Sequence, residues 1–296
     1  MHFTGPVYRP PFEARSFLLQ VTSGCSHNRC AFCTMYRDVP FTVEPLSQIE
    51  ADLQEAEAWK EGITRVFLES GDPFTMSYER LCRIAELIHR YLPHVQTIAM
   101  YASIRNISGK TDAQLSALRK LGINELNIGV ESGSDAVLRS MHKGYTAGEA
   151  RYELLRLSQA GIDWGANVIY GAAGRGHGAE NAEETAALLR ETRPYLIFTG
   201  SVHADPGCEL YDRMCQGTFI EPTFGEYLEE TERLIETLGP MDCHYFGLHP
   251  SNIVCMQGNL RTDRERLLDT VRAMREKLWE HLEDTPVRAG EGAIVG

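Results

Sequence analysis

Three cysteines crowd into nine residues at Cys25, Cys30 and Cys33, with four residues and then two between them. Thiolates are the soft ligands that zinc and iron–sulfur clusters select, and the Cys30–Cys33 spacing is standard for either. A structural zinc site closes its shell with four protein ligands. Here three are evident, with His27 the nearest candidate for a fourth. Three cysteines on a [4Fe–4S] cluster leave one iron open to a substrate or cofactor, which is the chemically useful arrangement. The other five cysteines, Cys82, Cys208, Cys215, Cys243 and Cys255, are scattered. They fit neither a disulfide framework nor a second cluster pattern, and isolated cysteines are often simply buried.

A triple-cysteine loop directly after a first strand, with Phe32 before the last cysteine, resembles the radical S-adenosylmethionine (SAM) superfamily. The family's usual loop has three residues and then two between its cysteines, so this loop carries one extra. The resemblance runs from about Phe17 to Ser201 and continues in Gly129–Lys143, which is similar to the branch of oxygen-independent coproporphyrinogen oxidases and methylthiotransferase cores. It implies a [4Fe–4S] cluster on Cys25, Cys30 and Cys33. The cluster's open iron would be chelated by the amino and carboxylate groups of SAM. It also implies reductive cleavage of SAM to a 5′-deoxyadenosyl radical that abstracts hydrogen from a substrate, and a flavodoxin- or ferredoxin-type electron donor.

The same resemblance assigns cofactor contacts residue by residue. Ser70, Gly71 and Asp72 occupy the place of a turn that binds the methionine amino group, with Pro73 fixing it. Glu131 matches a residue facing the ribose hydroxyls, and Lys143 one that pairs with the methionine carboxylate; a carboxylate accepts from hydroxyls and an ammonium neutralises a carboxylate. Phe32 would pack on adenine. Asn167 stands where an aspartate usually contacts the ribose. Ser103 and Arg105, after the third strand, and His203, after the sixth, are further candidate cofactor or substrate contacts. The stretch His249–Asn252 follows the last apolar run, where it can close a barrel mouth.

These residues need elements that carry them to one end of a sheet. One signature recurs: a helical stretch ends in Gly-Ile and a short apolar run follows, at Gly62, Gly122 and Gly161. Glycine supplies the left-handed cap and the run reads as a buried strand. Ser47 with Glu50, Thr111 with Gln114, Thr146 with Glu149 and Thr262 with Glu265 have capping-box spacing. Strands are predicted at Phe17–Val21, Val66–Glu69, Val95–Met100, Glu125–Val130, Ala166–Tyr170 and Leu196–Ser201, with a weaker one at Tyr245–Leu248. Apolar strands alternating with helices predict an α/β fold with a parallel sheet, a partial (β/α)6 barrel with ligands at the C-terminal strand ends. The predicted organisation is a core over 1–205 and a C-terminal extension over 206–296. That extension, which includes a helix at Asp263–Leu282, is expected to pack on the core and close the barrel mouth, and it ends in a frayed tail at Val287–Gly296.

The 296 residues carry a formal net charge of −12, and 43% are hydrophobic. Such a chain can bury a sizeable core. No apolar run spans a membrane and Met1–Arg15 lacks a signal-peptide pattern, which points to the cytoplasm. The acidic balance argues against nucleic acid and for a small-molecule substrate. Two other readings use the same residues. One is a non-catalytic haem or metal carrier of the coproporphyrinogen-oxidase-like branch; the other is a structural zinc-binding scaffold.

Overall fold

The computed structural model describes residues Met1–Leu282; the tail expected at Val287–Gly296 lies outside them. The chain divides into two compact units. One contains 1–28, 35–129 and 153–164; the other contains 29–34, 130–152 and the chain from Gly165 onward.

In the first unit, β1 (Phe17–Gln20) is followed by a two-stranded ribbon of β2 (Thr22–Ser23) and β3 (Thr42–Val43), then α1 (Leu46–Ala56) and β4 (Arg65–Glu69). Next come α2 (Tyr78–Tyr91), β5 (Thr97–Ala102), the short α3 (Ile104–Ser108), α4 (Asp112–Lys120) and β6 (Ile123–Glu131), whose last two residues belong to the second unit. Strand β1 pairs parallel with β4, β4 with β5, and β5 with β6. Residues Val66, Phe67 and Leu68 of β4 and Ile98, Ala99 and Met100 of β5 are wholly buried, as expected for parallel strands with neither face open to water. Helix α2 shows why these segments fold as they do. Ser77 accepts the Arg80 N–H at its start, and Leu81, Ile84, Ala85, Leu87 and Ile88 form one buried stripe.

The second unit contains α5 (Asp135–Ser140). Helix α6 (Ala147–Ala160) and strand β7 (Asp163–Tyr170) run across the unit boundary. Then follow α7 (Gly178–Thr192), β8 (Leu196–Ser201), α8 (Glu209–Cys215), α9 (Phe224–Leu238), β9 (His244–Gly247), β10 (Met256–Asn259) and α10 (Arg264–Leu282). Strands β7, β8 and β9 are parallel and in register, and β10 returns antiparallel to β9. Helix α9 packs against α7 and α10. It begins with a full capping box between Thr223 and Glu226 and buries Tyr227, Leu228, Leu234, Ile235 and Leu238.

All seven predicted strands are present, with ends shifted by up to three residues. Several cap assignments need correction. Gly122 and Gly161 adopt the left-handed conformation (φ 83° and 74°), but Gly62 does not, because a 3-10 turn over Glu57–Gly62 carries the chain into β4. Helix α1 starts at Leu46 behind Pro45, which places Ser47 inside it. The boxes at Thr111 and Thr146 form as expected. Helix α10 starts at Arg264, too late for Thr262 to cap it. Strand β10 was not anticipated, since Met256-Gln-Gly-Asn259 lacks an apolar run. Among the described residues, no helix is long and apolar enough to cross a membrane.

Candidate functional site

In the first unit the cysteine loop leaves β2 at Gly24, whose φ of 71° suits glycine. A Cβ there would lie 2.7 Å from the Val39 carbonyl oxygen. The turn after β4 meets this loop. The Gly71 N–H donates to the Gly24 carbonyl at 3.2 Å, and the Ser70 hydroxyl donates to the same oxygen at 2.9 Å. Ser26 donates to Asp72. Ser70 holds φ 111°, a region few non-glycine residues enter. Such strain costs about 1–3 kcal/mol and persists where surrounding contacts over-determine it.

Gly71 is required by packing. A Cβ there would sit 2.7 Å from the Tyr36 ring and 3.0 Å from the Cys25 Cβ. Gly71→Ala therefore displaces the first cysteine or the ring beneath it. The expected result is a loss of about 1–3 kcal/mol in stability together with reduced iron content. Chemical denaturation and iron analysis of the reconstituted variant check both effects.

A pocket of about 300 Å³ opens beside this turn, lined by Ser26, His27, Asp72, Ser103, Arg105 and Lys110 among others. It brings together three of the expected contacts: Asp72, Ser103 and Arg105. Arg105 is exposed and donates to His27 Nδ1 at 3.4 Å. Lys110 is buried, donates to the Phe74 carbonyl at 2.6 Å, and is pushed down to about 8 by that burial. The Ser70 hydroxyl donates to the Gly24 carbonyl, and Ser103 forms the capping box of α3, its hydroxyl accepting the Asn106 N–H and its own N–H donating to Asn106 Oδ1.

In the second unit, the segment Arg29–Thr34 is tied down through its backbone. The Ala31 N–H donates to the Met141 carbonyl at 3.1 Å, and the Leu210 N–H donates to the Ala31 carbonyl at 2.8 Å. The Cys33 N–H donates to the Cys30 carbonyl at 3.2 Å. Cys30 and Cys33 are half-buried, as is Cys25 in the first unit. Beside the segment lies a buried ion pair, with Lys143 Nζ donating to Glu131 Oε1 at 2.9 Å and both side chains about 90% buried. Lys143 Nζ lies 5.9 Å from the Phe32 ring centroid and 6.0 Å from that of Tyr145. Burial opposes the lysine's charge, yet Glu131 foremost, with Tyr145 and Cys30, raises its proton affinity well above the ordinary value. A cation at Cys30 stabilises the thiolate that a metal requires. A solvent-exposed lysine at this position is thereby excluded, and the glutamate and lysine expected to touch separate parts of one cofactor are partners themselves.

Glu131 holds φ 62°, a second strained non-glycine residue at a strand end. The turn after it is locked by buried polar groups. The Ser132 hydroxyl donates to Asn181 Oδ1 at 2.5 Å and the Gly133 N–H donates to Thr185 Oγ1 at 2.8 Å. Asn181 Nδ2 donates to Glu230 Oε1 at 2.8 Å, and Glu230 Oε2 accepts the Gly171 N–H at 2.7 Å. Burial raises the Glu230 carboxyl to about 7. The folded state thus holds this proton after the unfolded chain has released it, so stability falls as pH rises from about 4.5 to 7. A shift of that size amounts to about 3 kcal/mol lost across the window. Glu230→Gln is expected to flatten this part of the stability–pH curve by that amount, which denaturant titrations at pH 5 and pH 8 will measure. Glu69, also raised to about 7 by burial, leaves a slope of the same sign in the variant.

Asn167 is half-buried on β7. His203 Nε2 donates to Asp205 Oδ1 at 2.8 Å. Among the described residues, no three His, Cys, Asp or Glu side chains are arranged to hold a single metal ion. Of the remaining cysteines, Cys208 caps α8 through its sulfur and Cys243 is pushed up to about 12 by burial, so neither is a ready ligand. Sequence reasoning missed Tyr36, Asn181, Glu230 and Lys110. Each is distant in the chain from the turn it supports, and only Glu230 sits in a visible pattern, an acidic residue on the apolar stripe of α9.

The chain is 25% identical over 257 residues to a tRNA-2-methylthio-N(6)-dimethylallyladenosine synthase of Chlorobium phaeobacteroides, covering 82% of this chain and 54% of that protein. It is 20% identical over 234 residues to the heme chaperone HemW of Bacillus subtilis, covering 77% and 60%. The chain thus spans between half and two thirds of the length of these relatives. Methylornithine synthase (PylB) superposes with a TM-score of 0.53 at 15% identity, covering 93% of this chain and 83% of that one. The methyltransferase TsrM of Kitasatospora setae, with cobalamin and a [4Fe–4S] cluster bound, gives 0.57 at 14% identity, covering 88% and 61%. These likenesses establish the α/β fold with a mostly parallel sheet, of partial-barrel type. Residues 19–192, more than half of the chain, match the Radical SAM superfamily. The chain is therefore a member of that superfamily, whose cofactors are a [4Fe–4S] cluster and SAM.

Proposed function

We propose that the chain is a radical SAM enzyme whose cluster is held by Cys25, Cys30 and Cys33 and which abstracts hydrogen from a small-molecule substrate. The observation that carries this reading is the buried Glu131–Lys143 pair set beside Cys30 and Phe32. A buried ion pair is expensive to build, and this one places an ammonium and a carboxylate near the Cys30 thiol. When bound and reduced, the cluster supplies the electron that cleaves the carbon–sulfur bond of SAM and releases a 5′-deoxyadenosyl radical.

The chain's own residues bind and orient. Lys143 neutralises the methionine carboxylate with the hydrogens that Glu131 does not take. Glu131 accepts from the ribose hydroxyls, and Phe32 packs on the adenine. Gly71 and Asp72 present the turn to the methionine amino group, with Ser70 holding it against the cysteine loop. Asn167 is an acceptor for the ribose. Arg105 and Ser103 line the adjoining pocket. His203 faces the substrate. A flavodoxin- or ferredoxin-type protein delivers the electron, and the cytoplasm supplies the reducing conditions that keep the thiols free.

The test is anaerobic reconstitution followed by reduction with dithionite in the presence of SAM. Formation of 5′-deoxyadenosine supports the reading, and its absence from a fully loaded protein overturns it. The likeness to a heme chaperone favours a second reading, a haem carrier. Haem titration of the same preparation distinguishes the two, since a carrier binds haem stoichiometrically and leaves SAM intact.

A further inference from the structure

A second pocket in the first unit, of about 290 Å³, opens at the N-terminal ends of β1 and β4. Two chain segments line it, with Arg15 and Phe17 from one and Trp59, Gly62, Thr64 and Arg65 from the other. Phe17 and Arg65 are the first residues of β1 and β4, whereas Gly24 and Ser70 lie beyond the other ends of these strands. The five residues of β4 span about 16 Å. The pocket and the cysteine loop therefore sit at opposite strand ends, and the radical chemistry leaves this pocket unused.

Its lining carries two groups that nothing in the fold engages. Trp59 is 60% exposed. It sits on the 3-10 turn over Glu57–Gly62, none of whose residues is buried, so the indole adds nothing to the core. A tryptophan left in water forgoes one of the largest apolar gains open to a side chain. Among the described residues it makes no ring contact. Arg15 is exposed, and its guanidinium makes no hydrogen bond or ion pair with a described residue. Arg65 is committed by contrast. Its Nε and Nη2 donate to Glu13, and its Nη1 and Nη2 donate to Glu125. Neither carboxylate lines the pocket, and the lining holds no acidic side chain. Arg15 is thus its one uncommitted charge among the described residues. Gly62 keeps the wall between them open. It does not hold a positive φ, and a Cβ there would meet nothing within 4 Å.

We propose that this pocket binds a planar aromatic anion, its ring against the Trp59 indole and its carboxylate or phosphate on Arg15. An indole face stacks on flat rings. A guanidinium holds either anion through two parallel N–H donors. A neutral aromatic leaves Arg15 unused, and an aliphatic anion leaves the indole in water. The volume lies at the lower end for ligand pockets, which suits a ligand of one or two rings.

The experiment titrates the full chain with 4-fluorobenzoate, 4-fluorophenyl phosphate, 4-fluorobenzyl alcohol and inorganic phosphate. Fluorine NMR reads the three aromatic probes and tryptophan fluorescence reads all four. At least one aromatic anion is expected to bind saturably and to quench fluorescence, and the tighter of the two identifies the anionic group. The neutral alcohol should bind about tenfold more weakly, the effect of a lost charge-assisted contact. Arg15→Gln should weaken the anion by about tenfold for the same reason. Trp59→Ala should weaken it by a similar factor and remove the quench. Gly62→Glu, which adds a carboxylate to the lining without a backbone clash, should abolish binding, while Gly62→Ala should retain it. Melting curves and iron content that match the unaltered chain confirm that each variant folds. No saturable binding of either aromatic anion overturns the proposal, as does equal binding of the alcohol. Displacement by equimolar inorganic phosphate marks an adventitious ion only and overturns it too. Binding that survives both Arg15→Gln and Gly62→Glu places the ligand elsewhere. None of these readouts uses SAM cleavage, so the pocket and the radical-enzyme reading fail or stand separately.

Discussion

Cys25→Ala, Cys30→Ala and Cys33→Ala, prepared anaerobically beside the unaltered chain, are each expected to lose the brown colour, and SAM cleavage should fall to background. The unaltered chain should hold about four irons, the content of one [4Fe–4S] cluster. Three thiolates are the minimum that holds a cubane while leaving one iron open, so no single cysteine is dispensable. Alanine scanning of Cys208, Cys215, Cys243 and Cys255 supplies the contrast. Cys208 and Cys243 are buried, the first as a helix cap, so their replacement should alter stability and leave iron content intact. Iron and sulfide analysis with visible absorption decides the matter; a cysteine variant that keeps four irons and still forms 5′-deoxyadenosine contradicts the ligand assignment.

The second large effect is expected at Glu131. Glu131→Gln leaves Lys143 as a buried cation without its carboxylate, at a cost of about 3–5 kcal/mol. Against a total stability of about 5–15 kcal/mol, the variant should melt about 10 °C lower. A double variant, Glu131→Leu with Lys143→Met, removes both charges and fills the space with apolar atoms. It should recover most of the stability, because apolar replacement of a buried pair is often neutral or better. SAM affinity, read by equilibrium dialysis on the reconstituted protein, should stay lost in the double variant. Recovered stability with recovered SAM binding would make the pair purely structural.

The strand positions were legible because each apolar run follows a helix with a regular stripe and, at Gly122 and Gly161, a left-handed cap. Gly62 imitates the same dipeptide, but the 3-10 turn before it alters the geometry, and a dipeptide does not reveal the turn type ahead of it. Strand β10 escaped notice because a short edge strand needs only one paired neighbour and no apolar run.

The cysteines were legible for a chemical reason, since few residue types bind soft metals and their spacing along one loop is visible. The Glu131–Lys143 contact was not. The two residues stand twelve apart, with a helix and a turn between them, and resemblance had assigned each its own ligand. The hydrogen bonds of Ser70 and Ser103 were hidden for a related reason. A hydroxyl next to a glycine-rich turn looks available in sequence, while in the structure the nearest backbone group claims it. The supporting chain from Ser132 through Asn181 to Glu230 spans three elements, and no local pattern ties them together.

The account depends on one iron being left for SAM to bind. Electron–nuclear double resonance of the reduced, reconstituted chain with SAM labelled at its amino nitrogen and carboxylate measures this directly. The expected spectrum shows strong hyperfine coupling of both labels to the cluster, lost in Cys30→Ala. A cluster that forms in full and shows no coupling to either label would contradict it.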